Sequence, residues 1–478
     1  MEKCLAVYDK NTIFAPYYNP IYMLERKFTR YLERFLNEEP NKILLVNGAR
    51  QIGKSYLVRY VGKRLFKHFV EINLKEDKEG DQVFASVKTT NDLYMRLGNY
   101  YSEPLGNNTD TLVFLDEIQS YPHLMTMLKF LNQEGRYRFI ASGSQLGVAL
   151  SETPSVPIGS INVEQMYPLD FEEFLWATGV SKEWIEHIHD TFLREESLDE
   201  STHELLLKRF QYYLLVGGLP EAVNKYLEDR NMVRVRAIHR DIHELYRIDA
   251  SQYDEEHKLK IRRIYDLIPS NLENKKKRIV YNKIENKTGK HFADYADEFE
   301  YLTNSGVALE VIAISNPHFP LAESEQKRLL KLYLNDVGLL TNLLYGVNVN
   351  AVLQDIKSIN LGTVYESVVA QELAAHQFKL HYYDNKKKGE VDFLIDDYKN
   401  LQVLPLEIKS GKDYTEHSAL TKFLDTPEYG ITRAIVFSNE REVYKNKGAT
   451  YMPIYYCMFL HKKATDTDTV ILPELETI

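Results

Sequence analysis

The tightest constraint in this chain is local: the apolar run Ile43 to Val46 leads into Gly48-Ala49-Arg50-Gln51-Ile52-Gly53-Lys54-Ser55, and Tyr56-Leu57-Val58 continues as a helix. A strand that passes through a glycine-rich loop into a helix returns its next strand parallel to the first, so the region is committed to α/β, parallel-sheet architecture. The spacing also carries chemistry. Glycines let backbone N–H groups at a helix N-terminus converge on the β-phosphate, Lys54 adds charge on the β- and γ-phosphates, and Ser55 ligates magnesium. Gly48, Arg50, Gln51, Gly53, Lys54, Ser55 and Tyr56 are the candidate nucleotide-binding residues.

A second acidic element completes this pattern. Leu112 to Leu115 form an apolar run that carries Asp116 and Glu117 to the tip of a buried strand. Asp116 is expected to hold magnesium through water. Glu117, with Lys54 a candidate catalytic residue, is placed to orient and deprotonate the water that attacks a γ-phosphate. The next strand, Arg138 to Gly143, ends at Ser144, which either senses the γ-phosphate or caps the following helix. ATP and magnesium are the expected ligands.

With 478 residues, the chain exceeds what one core usually organises, which predicts about two to four domains. The N-terminus does not read as a signal peptide, and no apolar run approaches the roughly 20 residues that span a bilayer, so no membrane partner is expected. Cys4 and Cys457 stand at opposite ends, which argues against a disulfide framework or a cysteine metal site and fits a cytoplasmic location. A net charge of -10 gives no global attraction to nucleic acid, so DNA or RNA would be met through local patches. Lys275-Lys276-Lys277-Arg278 and Lys386-Lys387-Lys388 are the candidates, although basic turns of this kind are more often simply solvated.

The motifs GARQIGKS, TLVFLDEIQ, FIASGSQ and MYPLDFEEFL, in this order, resemble the AAA+ type ATPases of prokaryotes that carry a C-terminal nuclease-like domain. The resemblance covers most of the chain. It implies a parallel sheet with a helical lid, and ring-like or dimeric homo-oligomers are among the assemblies it suggests. Members of that family show a Gly-Arg pair just before the strand leading to this last motif. Gly159-Ser160 stands there in this chain, so an arginine acting across subunits has no counterpart at this position.

Five segments follow: an N-terminal extension (1–20), the P-loop ATPase core (21–165), a helical lid (166–255), a winged-helix domain (256–355) and a C-terminal α/β domain (356–478). The lid is read from helical periodicity broken at Val216-Gly217-Gly218-Leu219-Pro220, and the winged helix from short helices preceding two extended runs. Its groove-reading helix would be FADYADEFEYL. That helix carries four acids and no basic residue, which disfavours insertion into DNA.

In the last segment, Glu366 on a helix precedes Asp392 and Glu407-Ile408-Lys409 on two strands, with a hairpin expected around 396–400. Strand period two puts Glu407 and Lys409 on one face. This pattern resembles the PD-(D/E)XK phosphodiesterase, or restriction-endonuclease-like, fold. The resemblance implies Asp392 and Glu407 as metal ligands, with Glu366 and Lys409 completing a catalytic set. The expected function is an ATPase coupled to a nuclease-like domain acting on nucleic acid; the alternative is an ATP-controlled switch or scaffold whose C-terminal domain only docks. A small-molecule kinase is the third reading.

Overall fold

The apolar run at Ile43 forms β1 (Ile43–Asn47), buried throughout, in a computed structural model that describes residues 23–101, 104–144, 146, 159–250, 257–354, 361–411 and 418–462. The expected extension over 1–20, and Cys4 within it, lie outside the described residues. With β2 (His68–Asn73), β3 (Thr111–Asp116), β4 (Arg138–Gly143) and β5 (Ile161–Gln165), β1 builds a five-stranded, all-parallel sheet in the order β2-β3-β4-β1-β5. Helices cover both faces, so β1, β3 and β4 are buried at every position instead of alternately. Period two still sorts the side chains. Ile43 and Leu45 pack with Val113 and Leu115 on one face, Leu44 and Val46 with Leu112 and Phe114 on the other.

After β5 the chain turns into helix Phe171–Ala177, whose Asp170 and Glu173 cap each other's backbone N–H groups. Helices Lys182–Leu193, Glu200–Val216, Pro220–Asp229 and Met232–Ala250 follow. The Val216 to Pro220 break separates two of them, as its glycines and proline predict. Asp336 pins that turn from another part of the chain, accepting the Gly218 N–H at 2.6 Å.

Helices Lys258–Leu272, Tyr281–Glu285 and Ala296–Asn304 then lead into an antiparallel hairpin, β6 (Ala308–Ile314) and β7 (Glu325–Leu334). The hairpin does not stand alone. β6 pairs in parallel with β8 (His381–Asn385), and β9 (Gly389–Asp397), β10 (Gln402–Ile408), β11 (Ala434–Ser438), β12 (Tyr444–Asn446) and β13 (Ala449–Pro453) extend it into an eight-stranded sheet, β12-β13-β11-β10-β9-β8-β6-β7. The segments expected as separate units at 256–355 and 356–478 therefore share one sheet. Periodicity reports that a strand has a buried face, not which strand it pairs with. One apolar core continues from Leu44 and Leu57 through the helices between 171 and 250 to Tyr365 and Phe437. Among the described residues, no helix is long and apolar enough to cross a membrane.

Candidate functional site

Because β4 lies between β1 and β3, the carboxyl ends of three neighbouring strands bring together the loop after β1, Asp116 at the end of β3, and Ser142 to Ser144 at the end of β4. Ligands of open parallel sheets bind at such ends. The loop closes onto helix Lys54–Leu65, whose first N–H groups have no partner within the helix. Gly48 and Gly53 take φ of 142° and 95°, and a Cβ on Gly48 would also meet Ile52 Cδ1 at 2.7 Å, so glycine is required there by both backbone and space. Gln51, at the exposed tip, is left-handed as well, and Tyr56 is half-buried on the helix.

Lys54 is buried, and its ammonium donates to the carbonyls of Gly48 and Ala49, each at 2.7 Å. Burial pulls its pKa down to about 8, against the opposing pull of Glu117 and Asp116, with Arg50 adding to the depression. Ser55 Oγ donates to Asp116 Oδ2 at 2.7 Å, and Ser142 Oγ donates to the other carboxylate oxygen. A hydroxyl and a carboxylate converging in this way are hard oxygen donors that fit magnesium. Glu117 turns off the strand at φ 55°, and Gln119 Nε2 donates to its Oε2 at 2.5 Å. Ser144 is buried, its Oγ has no hydrogen-bond partner among the described residues, and it lines a small cavity with Arg50, Tyr246, Asp249, Tyr301 and Ser305.

Contacts reach this loop from far along the chain. Arg50 pairs with Asp249 near the end of helix Met232–Ala250, and Tyr246 donates to the Arg50 carbonyl at 2.8 Å. Asn47 donates to Gln165 at 2.7 Å and to the Asn304 carbonyl at 3.1 Å, while Arg26 donates to the Ile52 carbonyl at 3.1 Å. The sequence reading missed Ser142, Gln119, Asp249 and Tyr246. Strand period two from Ser144 was a usable signal for Ser142; nothing local pointed to Asp249.

The C-terminal candidates also meet. The β9–β10 ladder ends with Leu406 opposite Phe393, which leaves Asp392 and Glu407 beside one another, and Asp392 Oδ2 accepts the Ile408 N–H at 2.8 Å. Glu407 pairs with Lys409 at 2.9 Å, and Glu366, from helix Gly362–Ala375, accepts the Tyr333 hydroxyl at 3.2 Å. Burial, then the mutual repulsion of Glu407 and Glu366, pushes Asp392 well above the usual carboxylate range, and burial raises Glu407 too. Cations fill the cluster: Lys277 pairs with Glu366, and the fully buried Lys331 pairs with Glu390. Burial pulls the Lys277 ammonium down, but Glu366 and Asp392 outweigh it and the net shift is upward.

Among the described residues no group of three or more His, Cys, Asp or Glu is arranged to hold a metal ion. Asp392 and Glu407, expected as metal ligands, lie side by side, and lysines pair with the acids around them. The same contacts correct the nucleic-acid reading of the basic turn, because Lys277 and Arg278 are taken up by Glu366 and Asp384. Only Lys275 and Lys276 of that turn stay exposed. In the other patch, Lys388 donates to Thr426 at 2.9 Å, leaving Lys386 and Lys387 exposed. One acid of the expected groove-reading helix is taken up inside the chain: Glu298 is buried, paired with His257 at 2.9 Å and Lys260 at 3.3 Å.

Comparison with known proteins places a family described as an AAA domain on residues 40–175, and two domains of unknown function (DUF8612 and DUF4143) on 207–350 and 361–457. An uncharacterized protein of Methanocaldococcus jannaschii is 26% identical over 195 residues, which is 40% of this chain and 38% of that relative's length. Among solved structures, a Walker-type ATPase of Pyrococcus abyssi overlays 67% of this chain and 96% of its own at 15% identity and a TM-score of 0.40. The RuvB Holliday junction branch migration motor of Thermotoga maritima overlays 60% of this chain and 89% of its own, at 13% identity and a TM-score of 0.28. Residues 40–175 of the chain thus match an AAA domain family.

Proposed function

We propose that this AAA-type domain binds ATP with magnesium, hydrolyses it, and uses the cycle as a conformational switch acting on the lid and the eight-stranded sheet. The observation that carries the reading is the convergence of Lys54, Ser55, Asp116 and Glu117 at the carboxyl ends of β1 and β3, two parallel strands with β4 between them. A triphosphate entering the loop supplies oxygens that replace the Gly48 and Ala49 carbonyls as acceptors for Lys54, while the loop and helix N–H groups take the β-phosphate. Glu117, oriented by Gln119, accepts a proton from the attacking water; the water oxygen bonds to the γ-phosphorus and the bridging P–O bond breaks toward ADP. Bound through Ser55, with Asp116 behind it, magnesium would neutralise charge on the phosphates. Since Arg50 and Asn47 hold helix Met232–Ala250 and the turn after Asn304, a shift of the loop reaches both neighbouring segments.

Phosphate release tests the reading. Lys54→Ala should abolish nucleotide binding, and Glu117→Gln should bind ATP without cleaving it. Unchanged turnover in both variants refutes the assignment.

A second reading, magnesium-dependent cleavage of nucleic acid by the C-terminal segment, is favoured by the gathering of Glu366, Asp392, Glu407 and Lys409 from a helix and two strands. DNA or RNA would then be met through exposed Lys275, Lys276, Lys386 and Lys387. Cutting of plasmid or oligonucleotide that is lost in Asp392→Ala and Lys409→Ala supports it. No cutting by the unaltered chain under any nucleotide condition leaves the switch alone.

A further inference from the structure

The P-loop carries a charge that the reaction above leaves idle. Arg50 is the third residue of the Gly48 to Ser55 loop, and its charge is felt by Lys54, the group that meets the β- and γ-phosphates. Its guanidinium is held by Asp249, and that carboxylate is buried near the end of the lid helix Met232–Ala250. Two tyrosines fix the latch: Tyr246 donates to the Arg50 carbonyl at 2.8 Å, and Tyr301 donates to the Asp249 carbonyl at 2.9 Å. Ser144, buried and with no partner for its Oγ among the described residues, lines the same small cavity. An unpaired hydroxyl and a guanidinium beside the phosphate lysine are donors waiting for an acceptor of high negative charge.

We propose that Arg50 is an arginine finger supplied in cis, and that Asp249 is a lid-borne brake competing with the transferring phosphoryl group for it. The proposal rests on the ATPase reading above and adds its regulation. When water attacks the γ-phosphorus and the bridging oxygen departs with ADP, negative charge spreads over the γ-phosphoryl oxygens, and a planar guanidinium is the side chain best matched to it. Arg50 can serve that charge only by leaving Asp249. Its release removes one tie between the P-loop and helix Met232–Ala250, so hydrolysis and lid movement share one ion pair.

The test measures ATP affinity and single-turnover hydrolysis, with magnesium, for the unaltered full chain and for Arg50→Ala, Asp249→Asn, the double variant and Lys54→Ala. Arg50→Ala should still bind ATP while hydrolysis falls at least about 100-fold, below the full range seen for arginine fingers. Asp249→Asn should hydrolyse at least about threefold faster with affinity changed less than about twofold, and the double variant should follow Arg50→Ala. A gain in rate cannot come from a folding defect, so Asp249→Asn keeps the proposal testable if Arg50→Ala is poorly folded. Asp249→Asn no faster than the unaltered chain, or Arg50→Ala within about threefold of it, overturns the proposal. Unaltered protein that hydrolyses no faster than Lys54→Ala removes the ATPase reading and the arginine assignment together, whereas robust turnover with an unaffected Arg50→Ala removes only the latter.

Discussion

Replacing Gly218 by alanine tests how tightly the lid turn is fastened to the rest of the molecule. The Gly218 N–H donates to Asp336 at 2.6 Å, and its carbonyl accepts the Leu169 N–H at 2.7 Å. A Cβ at this position would stand 2.7 Å from Leu169 N and 2.8 Å from Leu169 C, and closer still to the Leu169 oxygen. Ordinary contact requires about 3.4 Å or more, and the obstacle is backbone, so the two segments must part and both hydrogen bonds are lost. Two buried polar pairs left unsatisfied at about 1–3 kcal/mol each predict a loss of about 2–6 kcal/mol. That corresponds to a fall in Tm of roughly 4–24 °C, at about 2–4 °C per kcal/mol for a unit of 150–250 residues. Thermal and urea denaturation followed by circular dichroism measure it. Gly98→Ala is the control: it lies exposed in helix Thr90–Tyr100 with nothing within 4 Å of the added carbon, and it should stabilise by up to about 1 kcal/mol. A Gly218→Ala variant within about 1 kcal/mol of the unaltered protein would refute the argument that this turn is sterically closed.

The depressed Lys54 pKa predicts proton uptake on ATP binding near pH 8–9, because phosphate favours the ammonium that burial disfavours. Calorimetry in buffers of different ionisation enthalpy reads this uptake, and affinity should fall as pH rises through 8; buffer-independent heats contradict it. For folding the sign is the reverse: the buried charge costs stability below pH 8, and the cost is relieved between pH 8 and 10.5, the unfolded value. Lys277→Ala leaves Glu366 without its ammonium partner and should cost about 2–4 kcal/mol in urea titration, with Glu366→Gln in the same background restoring part of it. An additive double variant would show that the pair is not coupled.

The residues of the candidate nucleotide site could be singled out because they are local. The strand, the two glycines, Lys54 and Ser55 lie within thirteen consecutive residues, and the Leu112 to Glu117 run announces a buried strand with charge at its tip. What escaped was everything set by distant pairing. Asp249 meets Arg50 across 199 positions, and Lys277 meets Glu366 across 89. The basic turn at Lys275 looked like a solvated loop or a phosphate contact, and half of it is a set of counter-ions for buried acids. The lid was readable as helical from its periodicity and its Gly-Gly-Leu-Pro break, yet nothing in that segment told of Asp336 closing on Gly218. The parallel pairing of β6 with β8, which merges two segments into one sheet, likewise leaves no mark in either strand's pattern.

The central claim is most directly tested by a crystal structure of the full chain grown with magnesium and a non-hydrolysable ATP analogue. The account predicts the triphosphate seated on the N–H groups between Gly48 and Ser55, with Lys54 Nζ moved off the Gly48 and Ala49 carbonyls onto phosphate oxygens and a metal beside Ser55. A nucleotide bound elsewhere, or Lys54 still donating to those two carbonyls with the analogue present, would contradict it.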